Sequence, residues 1–244
     1  MNSSPSANPC RPTFRPKTGP TWARRWVGLP YFILTSWLAT VGWAAPEKTA
    51  TLEVIKDGKA LQLVYPEKAA SPSSDGKKII LQDRKQNYLV NARLGDSFTL
   101  KIRMAILKAS RSASTLVLIH GEEASHLGFL GSKDTMFVQG KAFSSATISS
   151  LKDRQPPPFI AENSMFDVVI SYHRIGPDLA DLNITLNGEP YVRQSGKGPP
   201  ITAVGLRPWN GIIQIESMTL EGEFEKGGVQ AKPFQAKETE GQTT

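Results

Sequence analysis

Thiols are almost absent from this 244-residue chain: it has one cysteine, Cys10. Cys10 precedes the only long uncharged run, so it would leave with that run if the run is an export signal. The remainder would then hold no disulfide and no thiolate, and its stability would have to come from its core. Cys10 also cannot be a lipoprotein anchor, because that cysteine must follow the apolar segment. Histidine is nearly as scarce, with three residues, His120, His126 and His173. His120 and His126 flank Gly-Glu-Glu-Ala-Ser, which is not H-E-x-x-H, and their spacing puts them on different strands. No stretch carries a convincing helical period, and no run of Lys and Arg interleaved with aromatics offers a phosphate-binding surface.

Acidic residues are missing from residues 1–45, whereas Arg11, Arg15, Lys17, Arg24 and Arg25 all lie there. The formal charge of +7 comes from 29 basic and 22 acidic residues, so the 24 basic residues outside that segment nearly balance the acids. The basic character therefore belongs to the leader, which argues against a nucleic-acid partner. An uncharged run from Trp26 to Ala45 follows Arg24-Arg25, and Gly42-Trp43-Ala44 ends it with small residues at the −3 and −1 positions. This pattern predicts a cleaved export signal over residues 1–44 and an extracytoplasmic location, either periplasmic, cell-surface or secreted. The rival is a retained anchor, since about 20 residues can just cross a bilayer. Contact with a membrane is expected only in that case.

From about Thr51 to Phe224 the pattern is period-two alternation broken by turn signals. Leu52 and Val54 lead to Asp57-Gly58, after which Leu61, Leu63 and Tyr65 resume, as in a hairpin. Pro66 to Lys78 reads as a loop, with short strands at Ile79 to Gln82 and Tyr88 to Asn91. The clearest strand is Ser97 to Leu107, where Phe98, Leu100, Ile102, Met104 and Ile106 face the core and Lys101 and Arg103 face water. Thr115 to His120 is apolar nearly throughout, as a central strand would be. Ser125 to Leu130 and Thr135 to Gln139 form a hairpin-like pair. Beyond the prolines at 156–158 come Phe166 to His173, then Leu182 to Leu186 running into Asn187-Gly188, and finally Ile201 to Leu206 and Ile212 to Leu220. Roughly a dozen short strands mean an all-β sandwich or barrel. Residues 45–226 make one domain on this reading, and the polar tail, residues 227–244, is expected to be disordered.

The order of these pieces resembles the laminin-G/concanavalin-like jelly roll. The likeness rests on Phe98-Thr99-Leu100-Lys101-Ile102, the pair Leu116-Val117-Leu118-Ile119 and His126-Leu127-Gly128-Phe129, then Phe166 to Tyr172 and the hairpin Leu182 to Glu189. A narrower likeness is to the accessory jelly-roll modules of secreted bacterial sialidases and related glycan-degrading enzymes. It rests on Leu89 to Asp96, Met136 to Gly140, and Gly205-Leu206-Arg207-Pro208-Trp209. The resemblance implies an antiparallel two-sheet jelly-roll sandwich whose last strand returns to pair near the N-terminus.

Family glycosidases usually supply their carboxylates from one strand as E-x-D-x-x-E. Glu122-Glu123, Glu216 and Glu221-Gly222-Glu223 do not have that spacing. Ser110, Ser112 and Ser114 lie in a polar loop, so no nucleophile–histidine constellation is visible and no catalytic residue is assigned. The resemblance also allows a calcium ion, for which the loop residues Asp134, Asp178 and Asp181 are the candidates. Trp209 is the one tryptophan beyond the leader. It either belongs with Arg207 and Asn210 to a ligand-binding rim, its ring a sugar platform, or caps the open end of the core while Arg207 pairs with a carboxylate. These observations describe an exported, non-catalytic recognition module that binds glycan or an extracytoplasmic protein. A structural role in the cell envelope and a divergent jelly-roll glycosidase are the alternatives.

N-terminal sequencing of the protein recovered from cells should begin at Ala45 or within a residue or two of it. Recovery of a membrane-embedded species that retains Met1 would establish the anchor instead.

Overall fold

The computed structural model describes residues 50–64, 70–82, 86–108, 115–129, 136–152, 160–209 and 211–230, so the leader and its apolar run lie outside the described residues. Strand β1 (Ala50–Lys56) turns into β2 (Lys59–Ala60) through Asp57 and Gly58, at φ 49° and 68°. Both values are positive, as the favoured two-residue hairpin turn requires. Four short strands follow: β3 (Leu63–Val64), β4 (Ala70–Pro72), β5 (Ile79–Gln82) and β6 (Tyr88–Val90). The long β7 (Ala92–Lys108) precedes β8 (Leu116–His120), β9 (Glu123–Phe129) and β10 (Met136–Gln139). After helix α1 (Ser145–Lys152) come β11 (Met165–Gly176), β12 (Leu179–Leu186), β13 (Glu189–Gly196), β14 (Ala203–Leu206) and β15 (Ile212–Lys226).

These strands form two antiparallel sheets. The larger runs β13-β12-β11-β7-β15-β1-β2, with β5 pairing β15 and β4 on the far side of β5. The smaller runs β10-β9-β8-β14-β6-β3. Their inner faces share one apolar core, to which the larger sheet contributes Leu100, Ile170 and Leu220 and the smaller Leu116, Leu127 and Leu206. The chain is therefore an all-β, antiparallel two-sheet sandwich, and its closing strand β15 pairs β1 from Ala50↔Gly222 onward, as the concanavalin-like resemblance implies.

Alternation fixes which side chains enter the core. Leu100 faces Ile170 on one neighbour and Leu220 on the other, and the row continues to Ile184, Val192 and Leu52. All six are buried. One residue along, the outer row reads Arg193, Asn183, Ser171, Thr99, Glu221 and Thr51, all polar. Lys101 there bonds both carboxylate oxygens of Glu221 at 2.8 and 2.7 Å, and Arg103 bonds both of Asp167 at 3.0 Å.

Three expectations need correction. The hairpin after Asp57-Gly58 does not continue to Leu63: the chain leaves after Ala60, and β3 joins the other sheet. Tyr65 lies outside the described residues. The loop expected over 66–78 contains β4, an edge strand that ends at Pro72, where a missing N–H costs no ladder bond. Among the described residues there is also one helix, α1. Its sequence, S-A-T-I-S-S-L-K, is too short and too polar to show a helical period. It is held by contacts from outside. Ser144 caps it by accepting the Thr147 N–H at 3.1 Å, and Gln194 of the edge strand β13 accepts from Ser144 N–H and the Thr147 hydroxyl at 2.7 and 2.8 Å.

Leu100→Ala, a truncation at the centre of the buried row, should lower stability by about 2–5 kcal/mol. Lys101→Ala, one residue away on the outer face, should leave the denaturation midpoint nearly unchanged. Equal urea midpoints for wild type and Leu100→Ala would show the strand register to be wrong.

Candidate functional site

The outer face of the smaller sheet is partly covered. Val117 on β8 and Leu89 on β6 alternate with core residues and so point outward, yet their exposures are 0% and 5%. Gly205 on β14 stands opposite Val117 and Leu89. It has to be glycine because a Cβ there would lie 2.0 Å from the Tyr88 carbonyl oxygen. Two residues on, Arg207 donates its backbone N–H to Thr115 at 3.0 Å, which extends the ladder past β14. Pro208 is buried, and its carbonyl accepts the Gly211 N–H at 2.9 Å to close a turn.

Trp209 occupies the second position of that turn at φ 39°, in the left-handed region that a bulky side chain rarely adopts. The conformation brings its ring under the Arg207 guanidinium, with Cζ 3.7 Å from the ring centroid. Such cation–π stacking contributes about 0.5–2 kcal/mol, the more as the pair is desolvated. Arg207 forms no ion pair among the described residues, and its Nε is buried without a hydrogen-bond partner. Burial lowers its pKa to about 10. The carboxylate expected beside Arg207 is thus replaced by the face of Trp209, and Trp209 itself is half-buried. Asn210, the third residue assigned to the rim, lies outside the described residues.

His126 on β9 faces Val117 of β8 and shares the outer face. Burial first, then the charges of Arg207 and His120, push its pKa down to about 4. It is therefore neutral near pH 7, and its buried Nδ1 has no partner. The turn thus gathers a stacked cation with a spare donor, a neutral imidazole with a spare nitrogen, and an indole. That set offers a ligand only the half-buried guanidinium and indole, because the spare Nε and Nδ1 are themselves enclosed. It is poorly suited to general-base work, because a base of pKa about 4 removes protons weakly at neutral pH.

The structure also holds a constellation that the sequence concealed. Ser125 Oγ lies 2.7 Å from His120 Nε2, and Glu123 Oε2 is 3.9 Å from His120 Nδ1. The absence of a nucleophile–histidine pair is thereby corrected, though this pair is closed. Ser125 is fully buried, accepts the Ala142 N–H at 2.9 Å, and lies beneath Gly140, where a Cβ would sit 2.4 Å from its Oγ. No substrate reaches that hydroxyl, and the pair ties the β8–β9 hairpin to the segment before α1. The signal was the two-residue turn at Gly121-Glu122: it pairs His120 with Glu123 and Leu118 with Ser125, so His120 and Ser125 become diagonal neighbours on one face.

The carboxylates considered for hydrolysis are scattered. Glu123 bonds Lys141 at 2.7 Å, Glu216 lies 3.9 Å from Arg103 Nε, Glu221 is held by Lys101, and Glu223 packs over Gly95. The calcium candidates do not assemble either. Asp178 in the β11–β12 turn lies 3.3 Å from Lys197 Nζ, and Asp181 sits within β12 opposite His173 and Ser195 rather than in a loop. Asp134 lies outside the described residues. Among those residues no group of three His, Cys, Asp or Glu side chains could hold a metal ion, and no helix is long and apolar enough to cross a membrane.

No family model matches the chain, and no curated protein matches it. Among solved structures it is similar to the alginate lyase Aly36B in complex with alginate trisaccharide, at 11% identity over 71% of this chain and 98% of that one, TM-score 0.49. It is also similar to the carbohydrate recognition domain of Emp46p, at 10% identity over 69% and 94%, TM-score 0.45. The cellulose induced protein Cip1 is similar at 10% identity over 65% and 85%, TM-score 0.44. At these values none of their chemistry carries over, and the fold rests on the strand order described above.

Because the folded chain resists the His126 proton that the unfolded chain accepts, stability should be full above about pH 6.5 and decline as pH falls toward about 4. His126→Gln removes this contribution. Its melting temperature should fall less steeply than that of wild type between those pH values. Parallel curves would show that His126 is not held neutral.

Proposed function

We propose that this chain is an exported recognition module that binds glycan at the turn carrying Arg207, Trp209 and Asn210, without turning the ligand over. The observation that supports the reading most is the left-handed conformation at Trp209. Backbone strain of this kind costs about 1–3 kcal/mol and persists where surrounding structure enforces it, often at ligand sites. Here it coincides with a guanidinium stacked on the ring and a buried Nε that has no partner among the described residues. The stack fixes the cation in advance, so little side-chain freedom is lost when a ligand arrives. Hydroxyl or acid groups suit Arg207, and sugar C–H faces suit the indole. The reading without turnover is supported by the closed Ser125–His120 pair, the low basicity of His126 and the scattered carboxylates, of which Glu123, Glu216 and Glu221 lie beside cations. Export is supported by the leader alone.

A second reading is docking to a protein in an assembly role. The β11–β12 hairpin favours it, because Ile175 and Leu179 are 62% and 42% exposed there.

A glycan array followed by calorimetry on Trp209→Ala tests the first reading. Glycan affinity should fall by at least tenfold, about 1.4 kcal/mol, while the melting temperature changes little. Loss of about 3–5 kcal/mol of stability, as for a buried aromatic, with unchanged affinity per folded molecule would make the ring a structural cover. Measurable turnover of any bound glycan would end the non-catalytic reading. A protein ligand whose binding survives Trp209→Ala would favour docking through the hairpin.

A further inference from the structure

A cavity of about 270 Å³ opens on the outer face of the smaller sheet, near the start of β14, whereas Trp209 follows its end. Its floor is aliphatic. Ile119 on β8 stands opposite Ala203 on β14, and Leu89 on β6 completes the floor. None of the three belongs to the sandwich core, whose contributions from these strands are Leu116 and Leu118, Val204 and Leu206, and Tyr88 and Val90. The wall is made after β15 ends. Gly227 donates its N–H to the Asn91 carbonyl at 2.8 Å, and Gly227 and Gly228 take φ 83° and 77°. This backbone suits glycine and leads the chain on to Val229, which lines the cavity.

At the mouth is Arg93. It is exposed and forms no ion pair among the described residues, although Glu225 is its ladder partner on β15. Its guanidinium reaches over the neighbouring glycine instead: a Cβ added to Gly228 would lie 3.9 Å from Arg93 Nη2. That is ordinary van der Waals contact, so the guanidinium lies directly beside residue 228 at the mouth.

We infer that this cavity binds a small aliphatic carboxylate, the acid on the Arg93 fork and the hydrocarbon on Leu89, Ile119, Ala203 and Val229. A guanidinium matches a carboxylate with two parallel N–H···O bonds, which a neutral group cannot reproduce. The volume lies just below the roughly 300–1,000 Å³ of pockets for drug-sized ligands, so the ligand has the size of one amino acid or a short branched acid. The aliphatic floor lacks an aromatic platform, which separates this site from the glycan-binding turn. The same chemistry is presented by a free short-chain acid and by the C-terminal residue of a peptide.

The test is a titration of the isolated protein followed by backbone NMR, with N-acetyl-leucine as probe. Saturable shifts should centre on Leu89, Ile119 and Ala203. N-acetyl-leucinamide, which differs only in lacking the charge, should bind about tenfold more weakly or less. Arg93→Gln should bring the acid down to the affinity of the amide, with the melting temperature unchanged because Arg93 is exposed. Trp209→Ala should leave the affinity as it was, so failure of the glycan reading does not touch this one. Tighter binding of isovalerate than of a tripeptide ending in leucine would identify a free acid as the source, and the reverse order a peptide terminus. Equal affinity for acid and amide, an unaffected Arg93→Gln, or glucuronate binding as well as N-acetyl-leucine would overturn the assignment.

Discussion

The ladder between β7 and β15 is what the rest of the sandwich depends on. Each strand is longer than any other, at 17 and 15 residues, and the pair joins the middle of the chain to its end. On one side of it hang β11, β12 and β13, and on the other β1, β2, β4 and β5. So long a pairing cannot stay flat, because strands twist. The register accordingly shifts at three places, between Ile212 and Ile213, Ile215 and Ser217, and Gly222 and Phe224. At the last of these Gly222 has φ 120°, and a Cβ there would lie 2.5 Å from the Ser97 carbonyl oxygen. A bulge at that point keeps Leu220 in the core while the strand continues to Lys226, whose successors wall the Arg93 cavity.

Much of this architecture was legible because one face of the larger sheet is dry and the other wet. Where that holds, period two is unambiguous: Phe98 to Ile106 and Leu182 to Leu186 declare their inward faces at once, and Asn187-Gly188 declares the turn. Legibility failed where burial did not alternate. Ala105 is as buried as its neighbours Met104 and Ile106, and the short strands β2, β3 and β4 carry too few residues for any period to show. Helix α1 failed for another reason. Its cap at Ser144 is local, but Gln194, which anchors it, lies 50 residues further along the chain. Nothing in an eight-residue polar segment announces such a partner.

The site was legible in part and for the same reason. The sequence singled out Arg207 and Trp209 by type, since a lone tryptophan beside an arginine in a proline-glycine turn stands out. For Arg207 it left two readings open, a ligand-binding rim or a core cap with a carboxylate partner, the second because buried cations usually have one. The actual partner is the ring two residues away, and only the unusual φ at Trp209 makes that contact possible. A left-handed tryptophan cannot be read from sequence, where Asn and Gly are the residues expected to adopt it. The Ser125–His120 pair does not stand out in the sequence because it lies across a hairpin turn and not on a strand–helix elbow. Two residues five apart across a hairpin turn are neighbours in a sheet, however distant they look on paper.

The polar groups around the smaller sheet show why burial, more than residue type, decides what each can do, beginning with Ser125 and His120 on its inner face beside Leu118. Ser125 and His120 have the atoms and the 2.7 Å spacing of a nucleophile and its base, yet Gly140 lies over the hydroxyl and no reactant can reach it. Arg207 is half-buried, removed enough from water for its stack on Trp209 to be strong, while its spare Nε is enclosed. Arg93 is exposed, so its charge alone would be worth little. It gains specificity only from the aliphatic cavity beside it, which excludes water from one side of whatever the guanidinium holds. The three environments grade from closed, at the inner face of the smaller sheet, to open, at Arg93 on β7 of the larger. The same hydrogen-bonding chemistry serves as a structural tie at one, a preset contact at the next, and a selective filter at the last.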